Sequence, residues 1–357
     1  MNRVLSKTVS TWPGWYSRPR WLVLALALLA GGVLFGSLGA GAFSISWSET
    51  LAAFRDGFAS ADRQHAVIWQ LRLPRILLGF VAGGALGICG AALQGLFRNP
   101  LADPALVGVS GGGALGAVAA IVLGVPGFLQ GLPLVSLYAV PAAAFVGALV
   151  ATAVVYRVAT WQGRVRVATL LLAGIAINAV AGSAIGWFSF VADDVQLREL
   201  SFWSLGSVGG ASWEALGASV PLLLLALAVL PRYARSLNAL ALGESNARQM
   251  GAPVEEMKRG VVVAVAMAIG GVVAFTGIIG FIGLIAPHLF RLAGGPDHRW
   301  VLPGSFLIGG CLLCGADVIA RVAVAPAEIP VGIIVSSVGA PFFLFLLLRE
   351  KRRGGVE

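Results

Sequence analysis

Charge is what this chain lacks. Asp, Glu, Lys and Arg make up only 11% of its 357 residues, while 58% are hydrophobic. A soluble domain carries about 25% charged residues, so a water-exposed globule is excluded. Cysteine is as scarce: three residues cannot build a disulfide framework. Cys311 and Cys314 form C-x-x-C inside an apolar tract, without the second ligand pair that a structural zinc site needs, and read as small buried hydrophobes. The sequence holds no H-E-x-x-H, no catalytic carboxylate pair and no G-x-x-x-x-G-K-[ST]. Gly111–Gly116 fits G-x-G-x-x-G, but it lies in an apolar tract with no strand before it, which rules out a dinucleotide site.

What the chain has instead is long apolar runs. They cover 21–42, 73–97, 105–124, 134–158, 167–190, 214–231, 259–277, 282–293, 301–321 and 329–348. About 20 apolar residues cross a bilayer as a helix. Period-2 alternation, the mark of a β-barrel, is missing. The expected fold is an all-α polytopic membrane protein of about ten transmembrane helices. The first run follows basic residues and ends in Ala40-Gly-Ala42, which resembles a cleavage site. At about 22 residues it exceeds the apolar core of a signal peptide, so an uncleaved first span is expected. The 48 Gly include Gly79/Gly83/Gly87 and Gly108/Gly112/Gly116, spaced as faces for close helix packing.

The net charge is +9. Membrane topology accounts for it without a nucleic acid partner, because cytoplasmic loops are enriched in Lys and Arg. Alternating the runs across the bilayer places 19 of the 25 basic residues on one side, together with both termini. Only Arg55, Arg63, Arg72, Arg75, Arg198 and Arg321 fall on the other. Both termini are therefore expected in the cytoplasm. Arg259 and Arg291 must share the inner side, yet too few residues separate them for two full spans. A full helix followed by a short eighth one satisfies both limits, with Gly277, Gly280 and Gly283 as turn points.

Several stretches carry a resemblance. They are Arg72-Leu73-Pro74-Arg75, QGLFRNPLADPALVGVSGG (94–112), LNALALGESNARQMG (237–251), GFIGLIAPHLFRLAGGPDHRWVLPG (280–304) and ADVIARVAVAPAEIPVGIIVSSVGAPFFLFLL (316–347). Together, over residues 20–350, they resemble the permease subunits of bacterial ABC importers for ferric siderophores, haem and cobalamin, the type II importers. The resemblance implies a multi-pass protein of the bacterial inner membrane that works as a homodimer. Two separate ABC ATPase subunits, using ATP and Mg, would drive it, and a periplasmic binding protein would deliver the ligand. The chain itself would be no enzyme and would bind no cofactor or metal. It divides into a cytoplasmic segment (1–20), a permease domain (21–349) and a cytoplasmic tail (350–357).

The resemblance also implies site residues. The polar segment 233–258 matches the family's helices that dock into the ATPase. Gly243 and Gly251 bracket a short helix, and Pro253 permits a second to start. The coupling residues are then Gly243, Glu244, Ala247, Arg248 and Gly251; on charge alone the segment reads as a solvated loop. Asn99, Leu101, Val167, Ala168 and Thr169 match the inner gate, although turn chemistry also explains Asn99-Pro100. Arg72, Arg75 and Arg321 match arginines that meet the acidic lobes of the binding protein. Two plainer roles stay open: an Asp317–Arg321 pair at i,i+4, and snorkelling of Arg72 and Arg75.

For the cargo, GIAINA (174–179), DDVQLR (193–198) and FWSLGS (202–207) look most like the haem-importing branch. Ferric siderophore ranks second and cobalamin third. Ala173, Gly174, Ile177, Ala181 and Gly182 could wall the path of a flat ring. Asn178 faces either that path or a neighbouring helix. Arg198 either attracts propionates or pairs with Asp194. None of His65, His288 and His298 is expected to ligate haem iron, since a path must release what it binds. An ion-coupled secondary transporter is the other class; it needs an acidic group near the midplane, and Asp317, the best candidate, lies near an outer helix end.

Overall fold

The computed structural model describes residues 19–41, 45–57, 63–124 and 133–353. Most of the 1–20 segment, with Arg3, Lys7 and Arg18, lies outside the described residues. So does 354–357; the last helix runs on through residue 353, past the expected start of the tail.

The chain opens with α1 (Pro19–Gly39) and a short α2 (Trp47–Asp56), which starts at a Ser46/Glu49 capping box. Next, α3 (Arg63–Ala66) runs through a π-helical turn, Val67–Arg72, into α4 (Leu73–Phe97). After α5 (Val109–Leu123) and α6 (Pro133–Ala159) comes a hairpin, β1 (Thr160–Trp161) with β2 (Arg164–Val165). Its two-residue turn sits on Gln162 and Gly163, both with positive φ, as a tight antiparallel hairpin requires. The path continues through α7 (Val167–Val191), α8 (Asp194–Ser204), α9 (Trp213–Val229), α10 (Ala234–Ala241) and α11 (Glu244–Gln249). It ends with α12 (Val254–Thr276), α13 (Ile282–Gly294), α14 (His298–Val322) and α15 (Val331–Arg353).

Each of the ten apolar runs forms a helix. Among the described residues, seven helices are long and apolar enough to cross a membrane, and three shorter apolar ones stand beside them: Val109–Leu123, Ile282–Gly294 and Val331–Leu346. The short eighth helix is α13. α5 is shorter than its 20-residue run predicts. The Asp103 side chain accepts from the Ala105 N–H at 2.9 Å and starts a 3-10 turn, and Gly108 leaves it at φ 82°, so the α-helix begins only at Val109. Backbone at membrane depth that does not span must be covered by protein, and α6, α7 and α12 cover α5.

Interior position follows small residues. α4 and α12 are mostly buried, whereas α1 and α7 lie at the periphery of the single chain. α4 and α14 cross where a Cβ on Gly83 would strike the Gly309 carbonyl and one on Gly87 the Ser305 carbonyl. Gly112 and Gly116 meet the Gly147 and Ala143 carbonyls of α6 in the same way. Both expected glycine faces therefore pack helices.

The turn between α12 and α13 differs from expectation. Gly277, at φ 66°, ends α12 as expected. The second left-handed residue is Phe281, at φ 64°, and not Gly280 or Gly283. Gly283 is already inside α13, where its missing Cβ lets the helix approach Leu86 and Pro104.

Candidate functional site

Three regions of the fold hold the residues singled out in the sequence. The first is the polar stretch around α11. α11 lies between Gly243 (φ 108°) and Gly251 (φ 77°), backbone that side chains rarely adopt. The second short helix expected after Pro253 does not form separately. Pro253 opens α12, which runs unbroken to Thr276, and the partner helix is α10, before Gly243. The base of α12 therefore carries charge: Glu255, Glu256 and Lys258 occupy its first two turns.

That charge forms a network. Arg248 donates to Glu244 and Glu255, each at 2.6 Å. Lys258, 1% exposed, donates to Glu244 at 2.9 Å and to the Val165 carbonyl at 2.8 Å. Glu255 accepts from the Val165 N–H at 2.9 Å. Partial burial works against the Glu244 carboxylate, but hydrogen bonds from Lys258 and Arg248 outweigh it and hold its pKa below the usual value. Ala247 is buried beneath α11, while Leu242 and Met250 project beside it, 62% and 65% exposed. Nothing in the sequence marks these two apolar residues as exposed, because they blend into an ordinary mixed stretch.

The second region is where the C-terminal ends of α1 and α14 meet the N-terminal end of α4. The last carbonyls of a helix lack intrahelical partners and favour a cation. Arg72 donates to the Leu38 carbonyl of α1. Arg321 donates to the carbonyls of Ala40 at 2.9 Å and Ser37 at 3.4 Å. Both guanidiniums are buried in the single chain, at 6% and 5% exposure. Arg321 also pairs with Asp317 at 3.0 Å, the i,i+4 contact open to it. Arg75 meets Asp317 at 2.8 Å and Glu328 at 2.8 Å, and Glu328 is half exposed. Arg75 thus links directly to an exposed group.

The third region is α7. Gly174 presses on the Leu106 carbonyl, Ala181 is buried, and Ala173 and Ile177 pack on the core. The expected small-residue wall is therefore mostly a helix contact; of its members only Gly182 is open. Asn178 makes the interhelical bond, donating to the Ala105 carbonyl at 2.9 Å. The open face carries Leu172, Ile175, Gly182, Gly186, Trp187 and Phe190. Period 3.6 had pointed to a small-residue stripe, but the backbone turn at 104–108 claims that stripe. Arg198 is exposed on α8 and forms no ion pair with Asp194 among the described residues. Just past the C-terminal end of α4, the Asn99 side chain accepts from the Leu101 N–H at 2.9 Å. Val167, Ala168 and Thr169 form the first turn of α7, with Ala168 exposed.

A helical bundle with a short, protein-covered apolar helix, and a short polar helix tied by charge to a long apolar one, has the make-up of the transmembrane subunit of a transporter. Its permease fold is that of type II ABC importers. The chain belongs to the FecCD transport family, which matches residues 26–349. It is 42% identical to the Hemin transport system permease protein HmuU of Yersinia pestis over 336 residues, 94% of this chain and 98% of that one. It is also 42% identical to the Cobalamin import system permease protein BtuC of Halobacterium salinarum, over 88% of this chain and 81% of that one. A solved metal-chelate type ABC transporter in an inward-facing conformation superposes with a TM-score of 0.80 at 30% identity, covering 92% of this chain and 99% of that one. The protein is therefore a multi-pass permease subunit of an ABC importer and not an enzyme; ATP hydrolysis belongs to a separate subunit.

Proposed function

We propose that two copies of this permease enclose a path that carries haem from the periplasm to the cytoplasm. Two ABC ATPase subunits, using ATP and Mg, drive it, and a periplasmic binding protein supplies the haem. One observation carries the coupling: α11 is bound through Glu244, Arg248, Glu255 and Lys258 to Val165, at the root of α7. An ATPase seated on α11, with Leu242 and Met250 as apolar anchors, would act directly on that root. Gly243, Ala247 and Gly251 give α11 its shape. The inner gate consists of Asn99 and Leu101 with Val167, Ala168 and Thr169 from each copy.

The binding protein docks over Arg75 and Glu328, while Arg72 and Arg321 hold α1 in place beneath. Arg198 lies beyond Trp187 and Phe190 on the outer side and draws in the propionates. Basic residues concentrated on one side support cytoplasmic termini and an inner-membrane setting. Similarity to a hemin permease over 94% of the chain supports the cargo. The second reading is now cobalamin rather than a ferric siderophore, because a cobalamin permease shares the same 42% identity. Uptake by the reconstituted complex tests this. Proteoliposomes given binding protein offered both haem and cobalamin should accumulate haem in an ATP-dependent manner; accumulation of cobalamin instead would overturn the choice.

A further inference from the structure

An open groove of about 530 Å³ lies where α6 passes into its hairpin, lined by Tyr156, Arg157, Val158, Thr160 and Trp161. The apolar span of α6, Tyr138–Ala159, has 22 residues. That is about 33 Å of helix, close to the roughly 30 Å of a hydrocarbon core, so its last turn and the hairpin stand at headgroup level. One side of the span faces the protein: Ala144, Ala148, Val155 and Ala159 are buried. The other side carries a ridge of Val146, Val150, Val154 and Val158, each between 42% and 60% exposed. Spacing of four residues keeps them on one face. The ridge is about 18 Å long, little more than the depth of one leaflet, and it runs into the groove at Val158.

The hairpin adds charge to this apolar track. Trp161 is paired with Arg164 across it, so the two side chains share its outward face, while Val165 is buried on the other. Trp161 is 63% exposed. An indole at headgroup level meets both hydrocarbon and water, the setting that Trp favours. Arg157 and Arg164 are exposed, and neither forms an ion pair among the described residues. The acid that reaches the hairpin is already engaged. One oxygen of Glu255 accepts from the Val165 N–H, and the other meets Arg248 and Lys258.

We infer that this groove holds an anionic phospholipid. Its phosphate meets Arg157 and Arg164, its glycerol rests on Trp161, and an acyl chain follows the valine ridge. Openness suits this occupant, because a lipid enters sideways from its leaflet. A soluble anion would leave the ridge uncovered, and a zwitterionic lipid would bring a second cation to the two arginines. Anionic lipids attract basic residues beside a membrane helix. Val165 ends the same hairpin, so the bound lipid braces the contact between α12 and the root of α7. The site needs only a bilayer. Its test is therefore independent of the cargo, the ATPase and the binding protein.

The full-length chain, delipidated in detergent, is titrated with phosphatidylglycerol and with phosphatidylcholine, and bound lipid is counted by native mass spectrometry. Phosphatidylglycerol should be retained in preference. Arg157→Gln combined with Arg164→Gln should weaken its binding by about thirtyfold, roughly fivefold for each arginine. Both side chains are exposed, so the fold should survive, which the unfolding temperature checks. Arg232→Gln combined with Arg235→Gln removes the same charge from another exposed stretch and should leave the binding unchanged. A phosphatidylglycerol with a photoreactive acyl chain should label peptides from residues 146–161. Equal retention of the two lipids overturns the site. So does an equal loss in the two double variants, or labelling confined to other helices.

Discussion

The Lys258 ammonium meets the Glu244 carboxylate at 2.9 Å, across fourteen residues and from one helix to the next. The lysine end is fully buried and the glutamate end partly exposed. Removing Lys258 strands the carbonyl of the buried Val165 and the Glu244 carboxylate, which water can partly reach. Lys258→Met should therefore cost about 1–3 kcal/mol, less than breaking a fully buried pair. Thermal unfolding in detergent checks this. In the assembled complex the same variant should hydrolyse ATP while transporting poorly; full coupling in K258M would count against the network as the transmission element.

Acid should act on the same contact. Glu244 has a lowered pKa in the folded chain, so its stabilisation is complete above the ordinary value of 4.5 and is lost as pH falls through the depressed folded value. Glu244→Gln lacks this term. The stability gap between wild type and E244Q should stay constant from neutral pH down towards 4.5 and close below it. A gap that closed near neutrality would show that another group is titrating.

Glycines of two kinds should behave differently. A methyl on Gly87 runs into the Ser305 carbonyl, a backbone atom that cannot swing aside. Gly87→Ala should cost about 1–3 kcal/mol or prevent folding. Gly182 has nothing within 4 Å of its virtual Cβ in the single chain. Gly182→Ala should leave the unfolding temperature of the monomer within error, and any effect should appear only in the dimer or in transport.

The outer arginines should separate in the same manner. Arg72→Gln and Arg321→Gln remove cations from the α1 carbonyls and should lower stability. Arg75→Glu should reduce capture of the binding protein and flatten its dependence on salt, because it reverses a charge at the outer face. Surface-immobilised permease and purified binding protein suffice for the measurement. Equal capture by wild type and R75E removes Arg75 from the docking surface.

Much of this architecture was legible because a bilayer imposes one strong rule on sequence. Ten apolar runs gave ten helices, and the limit between Arg259 and Arg291 gave α13 its short length. What was not legible depended on single backbone torsions and on competition for one helix face. Phe281 takes a left-handed conformation that two neighbouring glycines invited. The 3-10 turn after Asp103 shortens α5, and its backbone then occupies the small-residue side of α7. Short polar helices such as α2 and α8 are amphipathic only over a few turns and rest on capping boxes at Ser46 and Asp193. The site residues showed a similar split. Glu244 and Arg248 stood out as rare charges, whereas the part played by Val165 depends on its backbone alone and leaves no trace in composition.

The clamp on Val165 has a geometric consequence. Both of its peptide groups are gripped from α12, through Glu255 and Lys258, and two residues later α7 begins. α7 is 25 residues long, about 37 Å at the usual helical rise. Held at one end, such a rod magnifies whatever happens there. A tilt of about 5° at the clamp sweeps the far end through roughly 3 Å, the width of a small side chain. The protein thus has the proportions of a lever: a short, stiff arm at the Val165 clamp and a long one reaching Trp187 and Phe190.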